Sequence, residues 1–237
     1  MGRGGGLFAA LLLSTLACAT KPAEEPLPRI SAVLLAPVSF NQNLPAPLEK
    51  GAPIVHEIVA GVLWEWDIRV SSPPADEFQG TWKNEGQSVG SLYGADGKLD
   101  PARFDAAVNA LIAAYRARGV QFDALVIPYL AVRSGAITGQ SVGWDGTSRQ
   151  LPLERSNRDV THMVARRGLQ ARCTSLLVLV YDAQGKRLFE RYGGLEVAQR
   201  MQMAEGNWRW TDRGDLFRNR KDLEEGVRFA LRPLIED

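Results

Sequence analysis

Three long β-rich apolar runs govern what this chain can fold into: Ile30 to Phe40, Phe122 to Arg133 and Arg172 to Asp182. Runs of this composition read as strands that need cover, so the fold must build a sheet and pack something on it. The segments between them supply the cover. Leu48 to Trp64 repeats apolar residues at Ile54, Ile58 and Val62 and at Val55 and Val59, which is helical spacing. Asp100-Pro101 opens a second helix with a capping acid and a first-turn proline. Its apolar face is Phe104, Val108, Leu111, Ile112 and Tyr115, and Gly119 closes it. Leu216 to Ile235 predicts a last helix faced by Leu223, Val227, Leu231 and Leu234.

Asp67 to Ser72 alternates and predicts a short strand, stopped by Pro73-Pro74. Ala183-Gln184-Gly185-Lys186 is a tight turn that returns Arg187 to Tyr192 as a hairpin partner. Pro128 inside an apolar run predicts an edge position or a bulge. Residues 73–99 and 134–171 are polar and glycine-punctuated, and read as loops or insertions; 193–214 reads as irregular. The order is β-α-β-α-β-β-β-α. It describes an α+β domain with a mixed sheet: early strands parallel through helical crossovers, later ones antiparallel.

The first residues do not belong to that domain. Arg3 precedes the run Leu7 to Cys18, which is apolar but too short to span a bilayer. Small Ala17 stands directly before Cys18, so the segment resembles a bacterial lipoprotein signal whose cysteine is acylated and becomes the new N-terminus. Cleavage after Ala19, with no lipid, also fits the small-x-small pattern of Ala17-Cys18-Ala19. On the lipoprotein reading, residues 1–17 are the signal peptide, 18–29 a proline- and charge-rich tether, and 30–237 a single periplasmic domain. Two or more acyl chains would hold stably in a leaflet, where one would not. Ala19 in place of Asp favours the outer membrane, by resemblance to Gram-negative lipoproteins.

Charge and cysteine content narrow the function. Arg3 is the only charge in the signal, and 28 basic residues face 27 acidic ones, so the mature chain is formally neutral. Nothing in that balance points to a nucleic acid. With Cys18 acylated, Cys173 has no partner for a disulfide and reads as a small buried hydrophobe.

No motif demands catalysis. Gly-Gln-Ser-Val-Gly occurs at 86–90 and at 139–143 and matches the nucleophile-elbow string. That chemistry needs a strand before the serine and a helix after it. Ser88 follows polar sequence, and Ser141 precedes the turn-like Trp144-Asp145-Gly146; His162 and Asp159 follow closely rather than on distant loops. A serine hydrolase using Ser141 is therefore the alternative, not the expectation. His56 and His162 are the only histidines and lack neighbours at ligand spacing, so no metal or cofactor is expected. Two features suit a partner surface. Arg149, Arg155, Arg158, Arg166 and Arg167 cluster in one polar stretch, although interleaved Glu154 and Asp159 also suit a solvated loop. Trp208 and Trp210 share a face if extended and serve either as binding anchors or as cover for the sheet.

Ile30-Ser-Ala-Val-Leu-Leu-Ala-Pro-Val-Ser-Phe40, Phe122-Asp-Ala-Leu-Val-Ile-Pro-Tyr-Leu130 and Leu176 to Phe189, with its Asp-x-x-Gly turn, carry a family likeness. The domain resembles the TolB N-terminal domain and small envelope lipoproteins sharing it, including the curli-secretion lipoprotein and activators of penicillin-binding proteins. The candidate insertions lack the apolar/polar alternation of pore hairpins, so a pore is not expected. The resemblance implies a periplasm-facing outer-membrane lipoprotein, not an enzyme: an adaptor or accessory subunit of an envelope machine in cell-wall synthesis, secretion or transport. It implies a membrane anchor, an envelope protein partner and room for a homo-oligomer. A small-ligand binder is the further alternative. Cys18→Ser should move the protein from the membrane to the soluble fraction, while the wild-type N-terminal fragment starts at a triacylated Cys18 by mass spectrometry. A wild-type fragment starting at Thr20 would sink the anchor.

Overall fold

A computed structural model describes residues 27–153, 168–204 and 207–235. Residues 1–26, which hold the expected signal peptide, Cys18 and the first part of the expected tether, lie outside the described residues. The described chain is α+β with a mixed sheet. Its strands are β1 (Ala32–Leu35), β2 (Arg69–Ser71), β3 (Ala124–Thr138), β4 (Ser141–Trp144), β5 (Thr147–Gln150), β6 (Gln170–Asp182), β7 (Arg187–Val197), β8 (Gln199–Ala204) and β9 (Asn207–Asp212). The helices are α1 (Ala46–Glu65), α2 (Ala75–Val89), α3 (Pro101–Ala117) and α4 (Arg220–Ile235).

β1 pairs in parallel with β2 on one side and β3 on the other. β6 runs antiparallel to β3 from Ala124↔Asp182 to Ala136↔Gln170, and β7 runs antiparallel to β6. Alternation along the strands sends side chains to two separate cores. Val33, Leu35, Val126, Val178 and Val180 meet α1 and α4, whereas Leu34, Leu125, Ile127, Leu179 and Tyr181 meet α2 and α3. A sheet covered on both faces explains why its central strands carry near-continuous apolar runs.

Local signals operate as the sequence predicts. The Asp100 carboxylate accepts from the backbone N–H groups of Ala102 and Arg103 at 3.0 and 3.2 Å, capping α3. Asp182 Oδ1 accepts from Gln184 N and Lys186 N, both at 2.9 Å, and Gly185 takes φ 85° to close the β6–β7 turn. Pro128 is in a central strand rather than an edge strand, and the ladder shows how it is tolerated. Val126 and Pro128 aim their carbonyls at the β1 side, to Ala36 N and Ser39 N. β1 has ended at Leu35, so the missing Pro128 N–H falls where β3 is locally an edge. Ser39, at φ 54°, completes the ladder by accepting from Leu130 N at 2.9 Å.

Three expectations are corrected. Residues 75–89 form α2 rather than loop. Its buried stripe is only Phe78, Thr81 and Trp82, too sparse beside Gly80 and Gly86 to show as periodicity. Tertiary packing selects the helix: Phe40 meets Phe78 and Trp82 edge-on at 4.8 and 5.1 Å, and Phe78 stacks on Tyr115 at 5.7 Å. Residues 134–150 extend β3 and fold back as β4 and β5, and 193–212 completes β7 and adds the β8–β9 hairpin. β4, β5, β8 and β9 are only 4 to 6 residues long and rich in polar residues, so neither periodicity nor composition marked them.

α4 comes very close to β7. A Cβ on Gly193 would stand 2.0 Å from the Gly226 carbonyl oxygen, and one on Gly226 would stand 2.2 Å from that of Gly194. Backbones meet there because side chains are missing. Gly226→Ala should therefore cost about 1–3 kcal/mol by denaturant midpoint, as overpacking does. Gly61→Ala in α1, where a Cβ meets nothing within 4 Å, should stabilise by about 0.5–1 kcal/mol instead. Equal effects would refute the close approach.

Candidate functional site

β1, β2 and β3 start at one end of the sheet, here the lower end, and point to the other. α1 and α4 both return downward side by side, linked by ion pairs Glu57–Arg220 and Glu65–Arg228. The hairpins β4–β5 and β8–β9 gather at the upper end. β3 outruns β1 and carries β4 on its free edge through Ala136↔Gly143 and Thr138↔Ser141. The β4–β5 hairpin folds over β6 and β7, where Trp144 Nε1 donates to Thr174 O and Ser175 Oγ at 3.1 Å. Thr147 Oγ1 donates to Gly194 O at 3.1 Å. Asp145, at φ 40°, accepts from Ser175 Oγ at 2.7 Å and from Arg133 Nε at 3.2 Å, and Arg133 lies 4.5 Å over the Tyr192 ring. Beneath them Cys173 is fully buried; burial pushes its thiol up to about 12, which leaves it an inert core residue.

The β8–β9 hairpin is a sheet of its own at this upper end. Register sets Met201 opposite Trp210 and Met203 opposite Trp208. Trp210 is half-buried against Ile137, Leu153 and Met201, so it seats the arm. The Trp208 backbone is in the ladder, but its side chain lies outside the described residues. Arg200 and Arg209, on the other register face, are exposed. The root of the arm is held by charge. Arg172 pairs with Asp212, and Arg213 makes two hydrogen bonds to Asp215 at 3.0 and 3.1 Å. Glu196 is buried and accepts from Phe217 N at 2.5 Å; burial raises its carboxyl above the ordinary range, against the pull of Arg213.

The arginine cluster divides. Arg149, offered by sequence as a contact, is turned inward: its guanidinium donates to Glu225 Oε2 and to Asp222 O, both at 3.0 Å. With its side chain 13% exposed, it clamps β5 to α4. Arg155, Arg158, Arg166 and Arg167 lie outside the described residues, as do Asp159 and His162. Neither serine motif has a strand–turn–helix setting. Ser88 sits near the end of α2 with its hydroxyl donated to Glu85 O at 2.6 Å, and Ser141 begins β4 within a hairpin. Among the described residues, no three His, Cys, Asp or Glu side chains group as a metal site.

One feature escaped the sequence. Pro37, Val38, Ala52, Pro53, His56 and Pro73 line a cavity of about 360 Å³. It opens where the chain leaves the carboxyl ends of β1 and β2, the usual crevice for ligands in such sheets. The lining comes from three separate segments, which no local pattern could join. His56 Nε2 lies 3.1 Å from Ser72 Oγ, and Nδ1 is buried with no hydrogen-bond partner of good geometry. Desolvation lowers the His56 pKa from the ordinary 6.5, more strongly than the Ala36 backbone raises it. A depressed folded value means that the neutral imidazole favours the fold above about pH 6.5 and that this stability is lost as pH falls through the folded pKa. An imidazole NMR titration, assigned by a His162 variant, should find His56 below 6.5; a value at or above it would refute the buried setting.

No protein-family model matches the chain, and no curated protein matches it, so any function has to be argued from the fold and these sites.

Proposed function

We propose that the chain is a periplasm-facing lipoprotein of the outer membrane, acting as a non-enzymatic adaptor or accessory subunit of an envelope machine in cell-wall synthesis, secretion or transport. The observation that carries this reading is polarity. The first described residues, Leu27 to Ile30, lie at the lower end beside Trp66 and Ile68, while β4, β5, β8 and β9 gather at the upper end. β3 alone would span roughly 50 Å if straight. A chain tethered by Cys18 would thus hold its added hairpins away from the leaflet, toward periplasmic partners. Exposed arginines on the β8–β9 arm suit an acidic or aromatic contact surface.

The cavity at His56 favours a second reading, a binder of small ligands. Its lining is mostly apolar with one imidazole, a composition common in ligand pockets, and its volume is at the low end of their range. The His56 ring signal should then shift as small phenols or amides are added.

A photo-crosslinking residue at Arg200 or Arg209 should capture an envelope protein in cells, and Trp208→Ala should lower the yield. The same residue at Lys83, exposed on α2, should capture little. Equal capture from both sites, or none from the arm, would defeat the adaptor reading.

A further inference from the structure

Two tryptophans at the lower end are left in solvent. Trp64 is 72% exposed and Trp66 is 46% exposed, although tryptophan is highly buried on average. α1 has already turned Val55, Ile58, Val59, Val62 and Leu63 to the core when it reaches them. Trp66 also lines an open cleft of about 520 Å³ with Leu27, Pro28, Pro233 and Leu234, so apolar surface continues from the helix end to the incoming chain. Nearby charges are mixed: Glu65 pairs with Arg228, and Arg29 and Asp67 are both exposed. This end therefore offers indole rings without a strong field of one sign. An indole pairs an apolar ring with a polar N–H, the chemistry that places tryptophan at the boundary between acyl chains and headgroups.

The length of chain between Cys18 and the first described residue selects the occupant. Only residues 19–26 separate Cys18 from Leu27, so the tether reaches at most about 30 Å when fully extended. On the anchored reading of Cys18, on which this inference rests, the lower end can never leave the leaflet surface by more than that. A weak aromatic contact then acts within one tethered molecule, at high effective concentration.

We propose that the lower end, through Trp64 and Trp66, docks into the interfacial layer of the membrane that holds the N-terminus. The domain then stands on the leaflet in a set orientation, with α1 and α4 ending at the lipid and the β8–β9 arm farthest from it. The contact is zwitterionic-tolerant, because indoles and not a basic patch make it.

The test uses mature protein purified from a Gram-negative host, with the mass of its N-terminal fragment recorded. The protein is placed with excess phosphatidylethanolamine–phosphatidylglycerol vesicles whose acyl chains are brominated near the headgroup, and tryptophan fluorescence is compared with unbrominated vesicles. Bromine should quench the wild type, and Trp64→Gln with Trp66→Gln should abolish most of that quenching. The double variant should keep its circular dichroism and thermal midpoint, since both side chains are exposed. Quenching that survives in it would place another tryptophan at the lipid and overturn the proposal. An acylated wild type without quenching would overturn it while leaving the anchor intact, the tryptophans then being covered by residues 19–26 or by a protein. If the N-terminus proves unacylated, the anchor fails separately. Quenching of that protein by added vesicles, lost in the double variant, would still support the face, and its absence would overturn it.

Discussion

The pairing of β3 with β6 is the interaction on which the rest of the structure depends. It runs without a break from Ala124↔Asp182 to Ala136↔Gln170, and both partners are buried through most of that length. A ladder this long does more than any short strand pair to define the two faces of the sheet. From Ala124 to Leu130 the residues of β3 alternate between the core under α1 and α4 and the core under α2 and α3. Its excess length over β1 has a second consequence. Beyond Ser39 the edge of β3 is free, and the chain fills it with its own β4 rather than leaving a strand open to other molecules.

Apolar burial and polar detail divide the work between the two ends. In the middle, backbone approach at Gly193, Gly194 and Gly226 brings α4 onto β7 more closely than any side chain would allow. At the upper end, where strands are short and few residues are apolar, position is set by directed bonds. Trp144 and Asp145 tie the β4–β5 hairpin to β6, Thr147 ties it to β7 and Arg149 ties it to α4. Exposed ion pairs such as Glu57–Arg220 add little by themselves, because water and salt screen them. Buried Glu196 differs, since removing its partners would strand a carboxylate in the core.

A directional molecule follows from this arrangement. Chain entrance, exposed Trp64 and Trp66 and the ends of α1 and α4 share the lower end; the β4–β5 and β8–β9 hairpins, with exposed Arg200 and Arg209, share the upper one. The cavity at His56 also lies toward the upper end, off α1 at the carboxyl ends of β1 and β2. The proposed leaflet-anchored adaptor would use that polarity by holding its arm outward.

Much of this was legible beforehand. The apolar runs became β1, β3 and β6, the 3.6-residue spacing became α1, α3 and α4, and Asp100 and the Asp182–Gly185 turn marked boundaries that the backbone respects. Those features are local, so the amino-acid sequence determines them alone; the run ending at Cys18 sets only an expectation of where the chain resides. Contacts between distant segments decided the rest. α2 exists because Phe78 and Trp82 find Phe40, Tyr115 and Phe104, not because its own spacing is helical. Arg149 became a clamp only when α4 arrived beside it, and Pro128 was acceptable only because β1 stops short. Which side chains are left for a partner, a ligand or a membrane is the remainder after packing, and that remainder is a property of the tertiary structure.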